Sequence, residues 1–239
     1  MIGPFTLYSY GCMVALGFIA GTLVAAHQAK RFRISPERIS TLSLVILVSG
    51  IVGARISYVL LHTDEFKNNL FEMLMVTHGG LVFYGGAAGA FLGALSYIKR
   101  SGMPFLDTAD LIAPSLALGH ALGRIGCLLN GCCYGKPTLL PPASMFGDHV
   151  MRYPTQVYSS LGLILLYAVL RARLQFRVFQ GQVFFSYLAL YAAGRFLIEF
   201  IRGDNAAVVL GLTAAQMVSI PLFLCGVIGY GALKPKTNT

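Results

Sequence analysis

Apolar residues run along this chain in stretches of about 20, the length that crosses a hydrocarbon core, separated by short polar connections. Seven such stretches can be read, near Leu7–Ala26, Ser40–Leu61, Gly80–Ile98, Ala109–Gly126, Gln156–Leu170, Gln182–Phe200 and Val208–Leu233. The fourth and sixth are the weakest, because charged residues interrupt them. The pattern predicts an all-α, polytopic integral membrane protein of about seven transmembrane helices, forming a single membrane-embedded domain over residues 1–239. The first stretch has neither a basic leader nor a small-residue cleavage site, so it is expected to be a mature helix and not a signal peptide.

Composition supports that class. Of 239 residues, 56% are hydrophobic and 11% charged, with a mean hydropathy of +0.71, too little polar surface for a soluble domain of this size. The basic residues give an orientation. Lys30, Arg31, Arg33 and Arg38 follow the first stretch, Lys99 and Arg100 the third, Arg171, Arg173 and Arg177 the fifth, and Lys234 and Lys236 the seventh. These positions alternate as seven spans require, so they mark the cytoplasmic side and put the N-terminus outside and the C-terminus in the cytoplasm. Between the second and third stretches, Asp64, Glu65 and Glu72 stand against Lys67, as suits an outer loop. The net charge of +9 then reads as topology signal and anionic-lipid contact, with no nucleic-acid partner.

Two charges lie where charge is costly. Arg124 and Arg195 sit inside apolar stretches, and an arginine at a bilayer centre costs roughly 2.5–3.5 kcal/mol on insertion scales. Such residues line protein or watery cavities and pair with anions. Arg124, Asn130, Lys136, Arg152, Arg195, Glu199 and Arg202 all fall toward the outer side. Arg195, Glu199 and Arg202 are spaced i, i+4, i+7, as one helix face would be. His120, Arg124 and Cys127 share a face of the fourth stretch. A structural Arg–Glu bridge accounts for part of this, but cations outnumber the nearby Glu199, which points to an external anion. Gly119, Gly123 and Gly126 permit close helix packing. The glycine-rich stretch 78–94 offers bends, close backbone approach to a ligand and N-terminal amides for an anion, although glycine is also common in ordinary transmembrane helices.

Several blocks bear a family resemblance. GRIGCLLNG, Gly123 to Gly131, is similar to the signature of the prolipoprotein diacylglyceryl transferases. In order along the chain, YSYG at Tyr8–Gly11, GARISYV at Gly53–Val59, GGLVFYGG at Gly79–Gly86, DLIAP at Asp110–Pro114, YPTQVY at Tyr153–Tyr158 and GRFLIEFIR at Gly194–Arg202 resemble the family too. The resemblance implies transfer of the diacylglyceryl group of phosphatidylglycerol to the lipobox cysteine thiol of a prolipoprotein, with release of glycerol 1-phosphate. It implies a multi-pass protein of the bacterial inner membrane, acting at the outer leaflet among membrane lipids, without metal or organic cofactor. Carried over by motif, Arg124 and Arg195 would hold the lipid phosphate, with Glu199 and Arg202 orienting and balancing them. Tyr10, Asp110, Asn130 and Gln156 would line or brace the cavity.

That chemistry favours cations. The departing phosphate monoester carries more negative charge than the diester, so a poised guanidinium stabilises the transition state more than the ground state. A unit pair at 4 Å in an effective dielectric of 20 is worth roughly 4 kcal/mol before desolvation. A thiol of pKa near 8.5 is about 3% ionised at pH 7, so full deprotonation gains at most roughly 2 kcal/mol. The chain also departs from the family. Tyr84 stands where a histidine base is usual, with His78 and His120 as stand-ins that also read as helix-end or packing residues. Cys127 and Cys132 replace asparagine and glutamate, Tyr153 replaces histidine, and the NGCCYGKPT continuation differs.

Cys12, Cys127, Cys132, Cys133 and Cys225 show neither CxxC spacing nor paired histidines, so no metal site is expected. Cys132 and Cys133 read as small residues at a crowded helix end, as partners for Cys127, or as carriers of a transient acyl or glyceryl group. Residues 131 to 155 form a polar loop able to gate access. Besides the transferase, the alternatives are a related headgroup or diacylglyceryl transfer to another acceptor, a lipid transporter, for which Arg55 is the main residue, and a non-catalytic lipid-binding factor, for which Tyr84 is the best argument.

Overall fold

Seven α-helices and two short hairpins, with three short 3-10 helices in the connections, form the regular structure of the described residues: α1 (Ser9–Ala29), α2 (Pro36–Leu61), α3 (Phe83–Arg100), α4 (Phe105–Leu129), β1 (Ser144–Met145), β2 (Met151–Arg152), α5 (Thr155–Gln175), α6 (Gln182–Glu199), β3 (Ala207–Val209), β4 (Leu212–Thr213) and α7 (Ala214–Leu233). The computed structural model describes residues 9–66, 70–75, 79–139, 144–145 and 150–235, with backbone only for Leu70, Ser144 and Met145. Tyr8, Lys67, His78 and Lys236, each used in the sequence reading, lie outside the described residues.

Five helices, α1, α2, α4, α5 and α7, are long and apolar enough to cross a membrane, so the protein is a helical membrane protein. α3 and α6 have 18 residues each; α3 ends in Lys99 and Arg100, and α6 carries Arg195 and Glu199. The last predicted stretch began too early: residues 207–213 form the β3–β4 hairpin, and α7 starts only at Ala214. The sequence dictates that start. Thr213 accepts from the Gln216 amide while the Gln216 side chain accepts from the Thr213 amide, a reciprocal cap. α2 opens similarly, with Ser35 accepting from the Arg38 amide ahead of Pro36.

The described residues form two compact units, 29–108 and 1–28 with 109–239. In the first, α2 and α3 pack antiparallel through small residues. A Cβ on Gly53 would lie 2.5 Å from the Gly85 carbonyl oxygen and 2.9 Å from the Gly89 Cα, so only glycine allows this approach. The glycine-rich stretch thus serves helix packing. Its leading pair, Gly79 and Gly80, takes φ of +87° and +74°, a region glycine enters without strain. Both carbonyls accept from Arg55, at 2.6 and 3.1 Å, while the same guanidinium donates to the carbonyls of Met73 and Glu72. Arg55 therefore spends four of its five donors on backbone carbonyls, which removes the main support for a transport pathway.

In the second unit, α1 runs antiparallel to α4. A Cβ on Gly17 would approach the Gly119 carbonyl to 2.7 Å, and Gly21 meets Ser115. Gly126 packs on Met13 and Tyr10, whereas Gly123 faces open space. α6 and α7 are also antiparallel, with Gly226 against Ala189 and Gly229 against Phe185. Ser160 of α5 donates to the Ala121 carbonyl of α4 at 3.1 Å. Membrane helices gain little from apolar burial against each other, so close backbone approach and such bonds supply the cohesion.

Candidate functional site

Helices α4, α5 and α6 border a half-open cavity of about 280 Å³. Arg124, His120, Tyr158, Tyr191 and Arg195 line it together with an apolar body that includes Leu163, Leu166, Val169, Leu190 and Ile198. The two arginines singled out from the sequence therefore meet one space. A cation-bearing end joined to an aliphatic trough matches the chemistry of an anionic lipid: phosphate to guanidinium, acyl chain to leucine and valine.

The arginines are held differently. Arg124 Nε donates to His120 Nε2 at 3.1 Å, one turn back on α4. His120 must present a lone pair at Nε2 to accept, so that nitrogen is engaged in positioning Arg124 and is not available as a base. Among the described residues, Arg124 has no carboxylate partner. Arg195 donates to Glu199, the i, i+4 pair the sequence anticipated. The Glu199 side chain is fully buried and also accepts from Thr213 Oγ1 at 2.8 Å and from Asn205. It thereby ties α6 to the start of α7 and fixes the Arg195 rotamer.

Arg202 departs from the expected helix face. α6 ends at Glu199, and Arg202 lies beyond it, bridging to Gly135. Its guanidinium grips Asp204 with two bonds, at 2.9 and 2.5 Å, and stands 3.7 Å from Glu199. Asp204 is the carboxylate that sequence reasoning missed. Its signal, an acidic residue two positions after a buried arginine, was present in the sequence. Among the described residues that line the cavity, the cation without a carboxylate partner is Arg124. Arg152 stacks its guanidinium over Tyr134 at 4.6 Å, and Lys136 is exposed.

The remaining predicted site residues scatter. Asp110 does not join the cavity lining. It lies 14 residues before Arg124, about 21 Å along the helix, and is wholly buried. There it accepts from the amides of Gly181, Val183 and Phe184 at 2.7–2.9 Å and from Arg177 at 3.0 Å. It caps the N-terminus of α6, a bracing role at the opposite end from the phosphate candidates. Tyr10 is partly exposed and packs on Gly126, and Asn130 is exposed in the turn after α4. Tyr84 belongs to the other unit, in the first turn of α3, where the residue is 65% exposed and its ring meets Phe83 edge-on.

The described part of the loop after α4 is more organised than a gating loop needs to be. Gly135 is buried where three segments cross: its amide donates to Tyr153, the Lys136 amide donates to Ile201, and the Gly203 amide donates to Tyr134. Gln156, expected to line or brace the cavity, donates to the Cys132 carbonyl at 2.6 Å, and Thr155 donates to the Cys133 carbonyl at 2.7 Å. This clamps a turn in which Cys127, Cys132 and Cys133 bring their sulfurs within 4.8 Å of one another. All three are free thiols. A bond from the Cys127 thiol draws the Cys133 thiol down to about 5; burial opposes the shift, and Cys132, Arg202 and Arg124 reinforce it. Sequence spacing had argued against any metal site; the fold assembles three sulfurs that the spacing did not announce.

Comparison with known proteins closes the question of kinship. The family model for prolipoprotein diacylglyceryl transferase matches residues 1–231. The chain is 34% identical over 227 residues to the phosphatidylglycerol–prolipoprotein diacylglyceryl transferase of Clostridium tetani, covering 92% of this chain and 91% of the relative. It is 37% identical over 220 residues to the enzyme of that name from Finegoldia magna, covering 92% and 88%. To the Clostridioides difficile enzyme it is 33% identical over 240 residues, covering 98% and 96%. With the seven helices, the arginine-lined cavity and these matches in hand, the chain belongs to the prolipoprotein diacylglyceryl transferase family.

Proposed function

We propose that this protein transfers the diacylglyceryl group of phosphatidylglycerol to the cysteine thiol of a lipobox-containing prolipoprotein, releasing glycerol 1-phosphate. The observation that carries the reading is the shared cavity of Arg124 and Arg195, continuous with an aliphatic trough. Arg124, without a carboxylate partner among the described residues, meets the phosphate and stabilises the charge that grows on it as the carbon–oxygen bond breaks. Arg195, held by Glu199, supplies the second contact. Arg202 and Asp204 complete the charge balance behind Glu199, and Tyr10, Asn130, Gln156 and Asp110 brace the elements that present these groups. Tyr84 contributes modestly to thiol ionisation.

In this reading all seven helices cross a bacterial inner membrane as one working domain, N-terminus outside, with the cavity toward the outer leaflet. The alternation of basic residues along the chain supports that orientation. A C-terminal fluorescent or phosphatase fusion should report cytoplasm and an N-terminal tag the outside; a cytoplasmic N-terminus refutes the placement. The reaction itself is tested by incubating purified protein with phosphatidylglycerol and a lipobox peptide and weighing the peptide. A diacylglyceryl adduct on its cysteine is expected, and its absence with active lipid present overturns the assignment.

A further inference from the structure

We propose that Cys127, Cys132 and Cys133 form a three-thiolate site for a thiophilic divalent cation, with Zn²⁺ the best match, whose open fourth position receives the acceptor thiol. The three sulfurs lie within 4.8 Å of one another, and those of Cys132 and Cys133 are 3.7 Å apart. A tetrahedral zinc with Zn–S bonds of about 2.3 Å places its sulfurs about 3.8 Å apart, so the cluster needs only a small contraction to close on a metal.

The surrounding chain holds these sulfurs in place. Cys133 adopts φ of +63° and Gly131 φ of +66°. A left-handed backbone at a non-glycine residue costs about 1–2 kcal/mol and persists only where neighbours enforce it. Here Gln156 and Thr155 grip the two cysteine carbonyls from α5, and the Cys132 amide donates back to Cys127 at 3.1 Å. Such second-layer bonds orient ligands at metal sites. Packing alone would not require three sulfurs to converge from a strained turn. Charge also fits, since three thiolates around a divalent cation leave one net negative charge, and Arg124 stands one helical turn from Cys127 on α4.

The metal site stands on this geometry alone; its part in catalysis rests on the function proposed above. Three protein ligands and one open position are the arrangement that lets zinc bind a reactant. An ion held by the three cysteines would lower the pKa of the acceptor thiol so that its proton passes to water, and the thiolate would form the bond to the glyceryl carbon as the carbon–oxygen bond to phosphate breaks, the phosphate oxygen leaving with that electron pair. A thiol about 3% ionised at pH 7 would gain up to about thirtyfold in thiolate, in a chain whose usual base position holds Tyr84.

The test uses the full-length protein in detergent. After Zn²⁺ loading and dialysis, wild type and Cys225→Ser should retain one equivalent of zinc, and Cys133→Ser and Cys132→Ser less than a tenth. Co²⁺ in place of Zn²⁺ should give a thiolate-to-cobalt charge-transfer band that strengthens when a lipobox peptide is added. No retained metal in wild type, equal retention in Cys133→Ser, or a disulfide among the three cysteines that excludes metal overturns the site. Chelator-stripped protein should transfer up to about thirtyfold more slowly at pH 7 and recover with Zn²⁺. Full transfer by metal-free protein refutes the catalytic role while the proposed function stands. Bound metal without any transfer refutes the function and leaves the site intact.

Discussion

Arg55 and Arg124 both interrupt apolar helices, yet the fold treats them in opposite ways. Arg55 spends its donors on four backbone carbonyls, of Glu72, Met73, Gly79 and Gly80, and lies against the rings of Tyr58 and Phe66 at 5.6 and 5.5 Å. Among the described residues, Arg124 makes one side-chain bond, to His120, and it lines a cavity. A guanidinium with four of its five donors taken by backbone carbonyls has little left for a ligand; one in an apolar wall with most of its donors unengaged carries an electrostatic demand that a substrate phosphate can meet. Burial of charge alone does not mark function; unsatisfied charge beside an open space does.

The sharpest way to break this contrast is Arg124→Ala. It should lower turnover at least about a hundredfold, as loss of one preorganised charge-stabilising group does, while the fold survives. Arg124→Lys should recover only part, because an ammonium lacks the planar two-pronged contact. Normal turnover of the alanine variant in the lipobox-peptide assay would end the phosphate-holding role. Arg195→Ala should lose a similar factor and also stability, since it strips Glu199 of its closest cation. Arg195→Ala with Glu199→Gln should regain thermal stability but not turnover, which separates the two contributions.

Arg55→Lys tests the other half of the comparison. An ammonium head cannot reach four carbonyls at once, so about 2 kcal/mol of stability should be lost, read as a lower melting temperature in detergent. Phosphatidylglycerol binding should stay within about threefold, and a larger loss of binding would move Arg55 into the site. Asp110→Ala should cost about 1–2 kcal/mol through the uncapped α6, again in melting temperature, with turnover per folded molecule little changed.

The smallest effect is expected from Tyr84→Phe, at most about tenfold in turnover at neutral pH, because the whole thiolate contribution is roughly 2 kcal/mol. A variant that binds phosphatidylglycerol normally yet is inactive at every pH would make Tyr84 the base.

Much of the fold was legible in the sequence because membrane helices announce themselves by length and apolarity. All seven predicted stretches overlap described helices, with the clearest error at residues 207–213, where the apolar Ala207–Leu212 run forms a hairpin. Val208 and Leu210 sit in that hairpin with their side chains exposed, so hydropathy alone could not separate it from the helix that follows. Local pairs were legible for the same reason of spacing: His120 with Arg124 and Arg195 with Glu199 are each one turn apart. The partner of Arg202 was misjudged because α6 stops at Glu199, and a helical projection does not extend past a helix end.

What the sequence determined by itself, then, is what depends on neighbours within a few turns: the helices, the family motifs, and the presence of arginines too costly to leave unanswered. The tertiary structure decided which of those arginines is answered by the protein. Asp110 lies about 70 positions from Arg177 and from the amides it caps at the start of α6, and Arg55 meets carbonyls 17 to 25 positions away. The sulfurs of Cys127, Cys132 and Cys133 converge because Thr155 and Gln156, more than 20 positions on, pin the turn. Hydrogen bonds and charge pairs act over a few ångströms of space irrespective of separation along the chain, so whether each polar group is satisfied or left facing a cavity is settled only when the helices pack.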